Sequence, residues 1–285
     1  MYYESEYLEH HGIKGQRWGV RRYQNADGSY TKAGLARYTK NANKKAQNAT
    51  NRSDFITKDH TIPAGVKMYR STMSVDSAIS DGPTYVTYTD VDRNTYRGGW
   101  VRNTAKDSDS GKYVIEHEYE LKEDLKIPSR DRVKSAVADA MKDPQVRKDA
   151  IQGFANIYVQ SFGYSHDTGT GKQIADSIVK NFGNKTVDDQ FVNVTMSLGV
   201  ASKAKQRIIE NLSKDGYNAM TDEASVLGNG GWAVEGYDPL IIFNANQSLV
   251  ETDINEISST KEYQYRSKTN QWRDKHYRYT DTGTW

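Results

Sequence analysis

The order of hydrophobic patterns along the chain is the feature that most restricts its fold. Segments with the alternation of β-strands lie on both sides of a middle region with helical periodicity. The predicted strands are 66–71, 85–89, 113–121, 217–221, 240–243 and 248–254. Strands followed by helices and then by strands again favour an α+β fold over a doubly wound parallel sheet.

Helix signals in the middle region are specific at several points. Asp143-Pro144 reads as an N-cap followed by proline in the first turn, and Asp215-Gly216 reads as a helix end. Thr186 with Asp189 resembles a capping box. Apolar stripes at helical spacing support three helices: Val133, Val137, Ala140 and Met141; Ile151, Phe154, Ala155 and Tyr158; Ile208, Ile209 and Leu212.

One predicted strand has two chemically different faces. Tyr113, Ile115, His117, Tyr119 and Leu121 alternate with Glu116, Glu118 and Glu120, which is the pattern of a half-buried antiparallel strand. The polar residues 103–112 before it predict an exposed loop.

Composition excludes several chemistries. The 285 residues include no cysteine, so disulfides, thiolate metal sites and cysteine nucleophiles are absent. The six histidines lack metal-ligand spacing, and we predict no metal site. No apolar run approaches the roughly 18 residues that span a bilayer, and the first residues carry acids rather than bases. We therefore expect a protein of the cytoplasm with no membrane segment.

Charge divides the chain unevenly. Residues 1–60 carry a net charge of +5 and residues 258–285 carry +3, whereas the middle carries −6. Basic ends suit nucleic acid or an acidic protein surface, and the alternative is that they are solvated tails. With a polar stretch at 39–60, the predicted organisation is a basic aromatic module (1–40), a linker (41–60), an α+β domain (61–257) and a basic aromatic tail (258–285).

Three motifs of the domain are informative because of their order along the chain. They are Tyr69-Arg70-Ser71-Thr72, then Tyr85-Val86-Thr87-Tyr88-Thr89-Asp90 with Tyr96-Arg97-Gly98, and finally Leu240-Ile241-Ile242-Phe243-Asn244. This order resembles the ADP-ribosyltransferase superfamily. The resemblance implies a split antiparallel sheet with inserted helices and NAD as cofactor. It also implies that Arg70 and Ser71 bind the dinucleotide, that Tyr85 and Thr87 line the nicotinamide pocket, and that Tyr96 packs beside it.

The catalytic glutamate of that superfamily has no direct counterpart. Pro239 occupies the position before the late strand, so the resemblance leaves Glu223 and Asp238 as the candidates for the catalytic carboxylate, with Glu235 as a third. The plainer alternatives are that Arg70 pairs with the glutamate face of strand 113–121, that the tyrosines are half-buried strand aromatics, and that Asp222-Glu223 is a solvated loop.

The N-terminal segment carries a more specific resemblance. His10-His11-Gly12-Ile13-Lys14-Gly15-Gln16-Arg17-Trp18-Gly19-Val20-Arg21-Arg22 resembles a short module of structural and head-associated proteins of tailed bacteriophages. The resemblance implies docking to a capsid or connector protein, with Ile13 and Trp18 as apolar anchors and Arg17, Arg21 and Arg22 as forked donors. The alternative is a cap that packs on its own domain.

Three functions follow as hypotheses. The first is a virion-associated protein, made in the host cytoplasm and held to the phage head or connector by its N-terminal module. The second is an active mono-ADP-ribosyltransferase that uses NAD to modify host proteins. The third is a nucleic-acid-binding virion protein that uses its basic ends, and its binding would weaken steeply with salt.

Overall fold

Short antiparallel strands and a block of helices make up the fold. The computed structural model describes residues 23, 25, 31–37, 58–73, 75, 79, 81–88, 90–106, 113–222 and 239–269. The strands are β1 (His60–Ile62), β2 (Lys67–Thr72), β3 (Thr84–Val86), β4 (Tyr113–Leu121), β5 (Leu125–Ile127), β6 (Ala219–Thr221), β7 (Leu240–Ile242) and β8 (Leu249–Ser258). A short helix over 32–37 precedes the strands. The other helices are α1 (Asp90–Lys106), α2 (Arg130–Ala140), α3 (Pro144–Ser161), α4 (Gly169–Gly183), α5 (Asp189–Met196), α6 (Lys203–Lys214), α7 (Ala245–Ser248) and α8 (Ser259–Thr269).

The strands form two three-stranded sheets and one two-stranded sheet. Their orders are β2-β4-β8, β3-β7-β6 and β1-β5, and every pairing is antiparallel. Tyr69 and Thr87 join the two larger sheets through a β-bridge, with N···O distances of 2.7 and 2.8 Å. The predicted α+β class is confirmed.

One hydrophobic core lies between the two larger sheets. Buried side chains of β2 and β4 share a cluster with buried side chains of β3 and β7, namely Met68, Tyr119, Leu121, Val86, Leu240 and Ile242. A second and larger core joins the opposite face of β3-β7-β6 to the helices. Met220 and Ile241 belong to it together with Phe191, Ile208 and Leu212. The sheet β3-β7-β6 is therefore covered on both faces.

Local capping explains where the helices of the second core begin and end. The Asp143 carboxylate accepts hydrogen bonds from the N–H groups of Gln145 and Val146, and Pro144 follows it, as predicted. Helix α6 ends at Lys214, and Gly216, two residues later, has a φ of 86° that suits a residue without a side chain. The predicted capping box of Thr186 with Asp189 is wrong, because Asp188 caps α5 by accepting from the N–H of Phe191.

The prediction of an exposed loop over 103–112 is wrong for its first residues, which belong to helix α1. Residues 103–106 belong to α1, and 107–112 lie outside the described residues. The helix has no apolar stripe, so its periodicity could not reveal it. It packs instead on the glutamate face of β4 through ion pairs to Glu116.

Two of the longer helices, α4 and α8, were also not expected from the sequence. Helix α4 begins at Gly169, and Gly171 has no room for a side chain because a Cβ there would lie 1.9 Å from the Ser165 carbonyl oxygen. Helix α8 occupies the first part of the predicted tail and packs on α1, β4 and β8.

Candidate functional site

Arg70 lies near the end of β2, directly opposite His117 of β4. Since side chains alternate along a strand, Arg70 shares a face with Met68 and Thr72, and this face turns toward the core between the sheets. Ser71 lies on the other face, opposite Glu116. The two residues predicted to bind the dinucleotide together therefore project to different sides of the sheet.

The Arg70 side chain is half-buried, and it forms no hydrogen bond or ion pair with another residue in the described part of the chain. Its charge acts on Tyr119, the neighbour of His117 on the same face. Burial, and then the Glu251 carboxylate, raise the pKa of the Tyr119 hydroxyl, and the Arg70 guanidinium opposes them. A half-buried cation that pairs with no anion among the described residues is a natural contact for an anionic ligand.

His117 connects two polar side chains beside Arg70. Its side chain is 1% exposed, its Nδ1 lies 2.6 Å from Oε1 of Glu251, and its Nε2 lies 3.3 Å from Oγ1 of Thr72. The carboxylate favours a proton on Nδ1, which leaves Nε2 of a neutral imidazole to accept the hydroxyl proton. Thr72, His117 and Glu251 thus form a hydrogen-bonded relay across the three neighbouring strands β2, β4 and β8.

Glu251 is the outer end of this relay. It lies on β8, 134 residues after His117, and its side chain is 41% exposed. The sequence could not bring these residues together because only the antiparallel pairing of β4 with β8 does so. A usable signal was the position of His117 on the apolar face of its strand, where a buried histidine needs partners.

Tyr85 lies on β3, and Thr87 directly follows that strand next to β2. Thr87 is buried, and its hydroxyl donates to the Tyr69 carbonyl oxygen at 3.3 Å. Tyr85 packs against the helical core rather than toward Arg70. Burial and the nearby Asp222 carboxylate raise the pKa of Tyr85 to about 12, although the backbone N–H of Val200 lowers it.

The alternative of a solvated Asp222-Glu223 loop is wrong for Asp222, because this residue is only 3% exposed. Its N–H donates to the Pro239 carbonyl oxygen at 2.8 Å. This bond holds together the end of β6 and the start of β7. The two chain ends that lead into residues 223–238 therefore lie side by side.

Tyr96 lies on α1, on the other side of β2-β4-β8 from Arg70, and is half-buried. Next to it in sequence, Arg93 and Arg97 bind Glu116, which is 1% exposed. The distances are 3.0 Å from Arg93 Nε and 3.3 Å from Arg97 Nη1. We call Arg93, Arg97 and Glu116 the α1 clamp.

Arg70 does not take part in the α1 clamp, so the alternative that it pairs with the glutamate face is wrong. Glu116 binds the two arginines of α1, and Glu118 binds Lys67. Arg93 also stacks over the Tyr69 ring, 4.0 Å from its centroid. The clamp fixes α1 to the sheet and leaves the opposite face to Arg70 and His117.

Several predicted residues lie outside the described ones. These are the carboxylate candidates Glu223, Glu235 and Asp238 and the docking residues Ile13, Arg17, Trp18, Arg21 and Arg22. In the part that the structure describes, no three potential ligands gather in a group that could hold a metal ion. Among the described helices, none has the length and apolar character to cross a membrane.

One short segment of the chain matches a known protein family. Residues 4–25 match the model of a family of unknown function, DUF7211. No curated protein and no solved structure matches the chain. The match covers the first part of the predicted docking module and stops well before β1 at His60.

Proposed function

We propose that the chain is a virion-associated protein of a tailed bacteriophage, held to a head or connector protein by residues 1–40. The resemblance of residues 10–22 to the phage module carries the proposal. The match of residues 4–25 to a family of unknown function supports only that this stretch, with every proposed docking residue, recurs in other proteins. The match ends at residue 25, and the short helix over 32–37 that follows it packs on the domain, because Leu35 lies against the core between the two larger sheets.

The residues of this segment suit docking. Trp18 and Ile13 offer large apolar contact surfaces, and three arginines offer planar donors to carboxylates. The net charge of +5 over residues 1–60 favours an acidic partner surface. The α+β domain is then the part that the module carries to the particle.

The docking role is tested by asking whether residues 1–40 bring an unrelated protein into phage particles. Residues 1–40 fused to a fluorescent protein should enter phage particles during infection, and the same fusion with Trp18→Ala and Ile13→Ala should not. Equal fluorescence of particles made with both fusions, or none with either, would count against docking by this segment.

A second function, binding of NAD by the domain, is favoured by Arg70. We propose that its half-buried guanidinium contacts the pyrophosphate of the dinucleotide. Arg70 lies close to the bridge between Tyr69 and Thr87, where the two sheets meet. Ser71 and Tyr85 lie on other faces and take no part in this version of the site.

Transfer of ADP-ribose additionally needs a carboxylate to stabilise the positive charge that develops on the ribose as nicotinamide leaves. Glu223 and Asp238 remain the proposed residues. Each is bonded to one of the two chain ends that the Asp222–Pro239 hydrogen bond holds together.

Titration of the purified protein with NAD tests this second function. Arg70→Ala should abolish binding, and Arg70→Lys should weaken it because an ammonium group lacks the planar fork. Lys67→Ala is the matched control, since Lys67 lies on the same strand but pairs with Glu118 on the opposite face. Equal NAD binding by wild type and Arg70→Ala would exclude the site.

A further inference from the structure

A cavity in the helical layer lies apart from both proposed functions. It has a volume of about 290 Å³ and opens to solvent between α3, α4 and α5. Phe154, Phe182 and Val194 line its buried side, and Tyr158 and Ile178 are half-buried beside them. From the structure we infer that this cavity binds a small planar bicyclic molecule, a nitrogen heteroaromatic with a hydrogen-bond acceptor at one edge.

The size of the cavity sets the size of the ligand. An apolar cavity of about 150 Å³ in a protein core binds one benzene molecule. This one has roughly twice that volume. Two fused rings therefore fill it, whereas a single ring leaves much of the apolar lining in contact with water.

The arrangement of the lining favours rings over a flexible aliphatic chain. Phe154 and Phe182 lie 6.1 Å apart with an angle of 65° between their planes, so a flat ligand meets the face of one ring and the edge of the other. Ring contacts continue from Phe182 to the fully buried Phe191 and from Phe154 to Tyr158. The aromatic lining is thus anchored in the core and already in place before a ligand enters.

Two polar residues at the mouth determine which edge of the ligand faces outward. Ser177 and Gln190 line the cavity and are themselves exposed. The Gln190 Oε1 atom accepts a hydrogen bond from Lys185, so its amide N–H groups are what it offers to a ligand. The Ser177 hydroxyl forms no hydrogen bond with another described residue and can donate as well. The Gln190 amide donor at the mouth favours an acceptor on the ligand, such as a ring nitrogen, and the Ser177 hydroxyl can donate to the same acceptor.

Binding of quinoline and of naphthalene, its hydrocarbon counterpart of the same shape, tests the inference with the full-length protein. Ligand-observed NMR titration should show saturable binding of both, with a dissociation constant on the order of 1 mM for quinoline. Gln190→Leu should weaken quinoline binding about threefold to tenfold, as loss of one hydrogen bond does, and leave naphthalene binding unchanged.

Filling the cavity gives the stronger control. Ile178→Trp should reduce binding of both probes by at least about tenfold, which corresponds to loss of most of the apolar contact. Lys180→Trp adds the same side chain at an exposed position of α4 and should bind like wild type. Ser177→Trp closes the mouth from an exposed position, so it remains decisive if Ile178→Trp fails to fold.

The inference is overturned if neither probe binds saturably to the wild-type protein up to its solubility limit. It is equally overturned if folded Ser177→Trp protein binds both probes as tightly as wild type does. Binding of naphthalene and quinoline that responds to Ser177→Trp but not to Gln190→Leu would overturn the hydrogen-bond acceptor and leave a purely apolar site.

Discussion

His117 and Glu251 are joined by a hydrogen bond of 2.6 Å between Nδ1 and Oε1, across the pairing of β4 with β8. One partner is fully buried and the other reaches solvent, so the bond links the interior of the sheet to its surface. Its contribution to stability can be measured. Glu251→Gln should lower the free energy of unfolding by about 1 kcal/mol, because a charged acceptor is replaced by a neutral one at a partly exposed position.

The control for this bond is Glu256→Gln, an exposed glutamate on the same strand. Urea unfolding should show no difference from wild type for this variant. Equal stability losses in the two variants would mean that the bond to His117 adds nothing.

The α1 clamp should have a larger effect. Glu116→Gln removes the buried anion of Arg93 and Arg97, and we expect a loss of about 2 kcal/mol, because both guanidinium groups keep some contact with water and Arg97 keeps Glu262 at 3.8 Å. Glu118→Gln breaks the pair with the exposed Lys67 and alters a long 3.5 Å contact from the Thr252 hydroxyl, and it should cost less than about 1 kcal/mol. A smaller loss for Glu116→Gln than for Glu118→Gln would contradict the assignment of the clamp.

The hydrogen bond from Tyr217 to Asp59 makes the stability of the fold depend on pH in the acid range. The Tyr217 hydroxyl, 2.6 Å away, and then the Ser129 N–H lower the pKa of Asp59. A lowered pKa in the folded state gives stability that is present above the ordinary pKa of aspartate and is lost as pH falls through the folded value. Tyr217→Phe removes the largest cause, so it should reduce the slope of stability against pH in the acid range. An unchanged slope would show that the hydroxyl has no effect on Asp59.

Tyr85 makes the stability of the fold depend on pH in the alkaline range, where stability falls as pH rises. Its pKa is raised to about 12 by burial and by Asp222, so the folded state keeps the proton that the unfolded state loses from about pH 10 upward. Stability should therefore fall between those two values. Unfolding of Tyr85→Phe should show less of this fall, whereas Tyr113→Phe, which alters an exposed ring, should behave as wild type does. Identical alkaline profiles for wild type and Tyr85→Phe would contradict the burial of this hydroxyl.

Local signals predicted the parts of the fold that local interactions determine. The alternation of residues 113–121 gave β4 with its bounds, and Asp143-Pro144 gave the start of α3. Helix α1 was missed because ion pairs to Glu116, rather than an apolar stripe, attach it to the sheet. A charged helix face has the same sequence pattern whether water or a buried carboxylate covers it.

The candidate site was predictable only in part, for a related reason. Arg70 could be singled out because its motif ends a strand, but its neighbours depend on pairing between distant segments. Thr72, His117 and Glu251 come together through two antiparallel registers that no single stretch of sequence encodes. The cavity of α3, α4 and α5 arises likewise from the packing of three helices, one of which was not predicted.

We propose that residues 1–40 attach this chain to the virion. This attachment is tested most directly by quantitative mass spectrometry of purified phage particles from infections that supply either the full chain or a chain without residues 1–40. Our account predicts that the full chain is present and the shortened chain is absent, although both are made and folded in the host cell. Shortened protein at full-length abundance in the particles would contradict it.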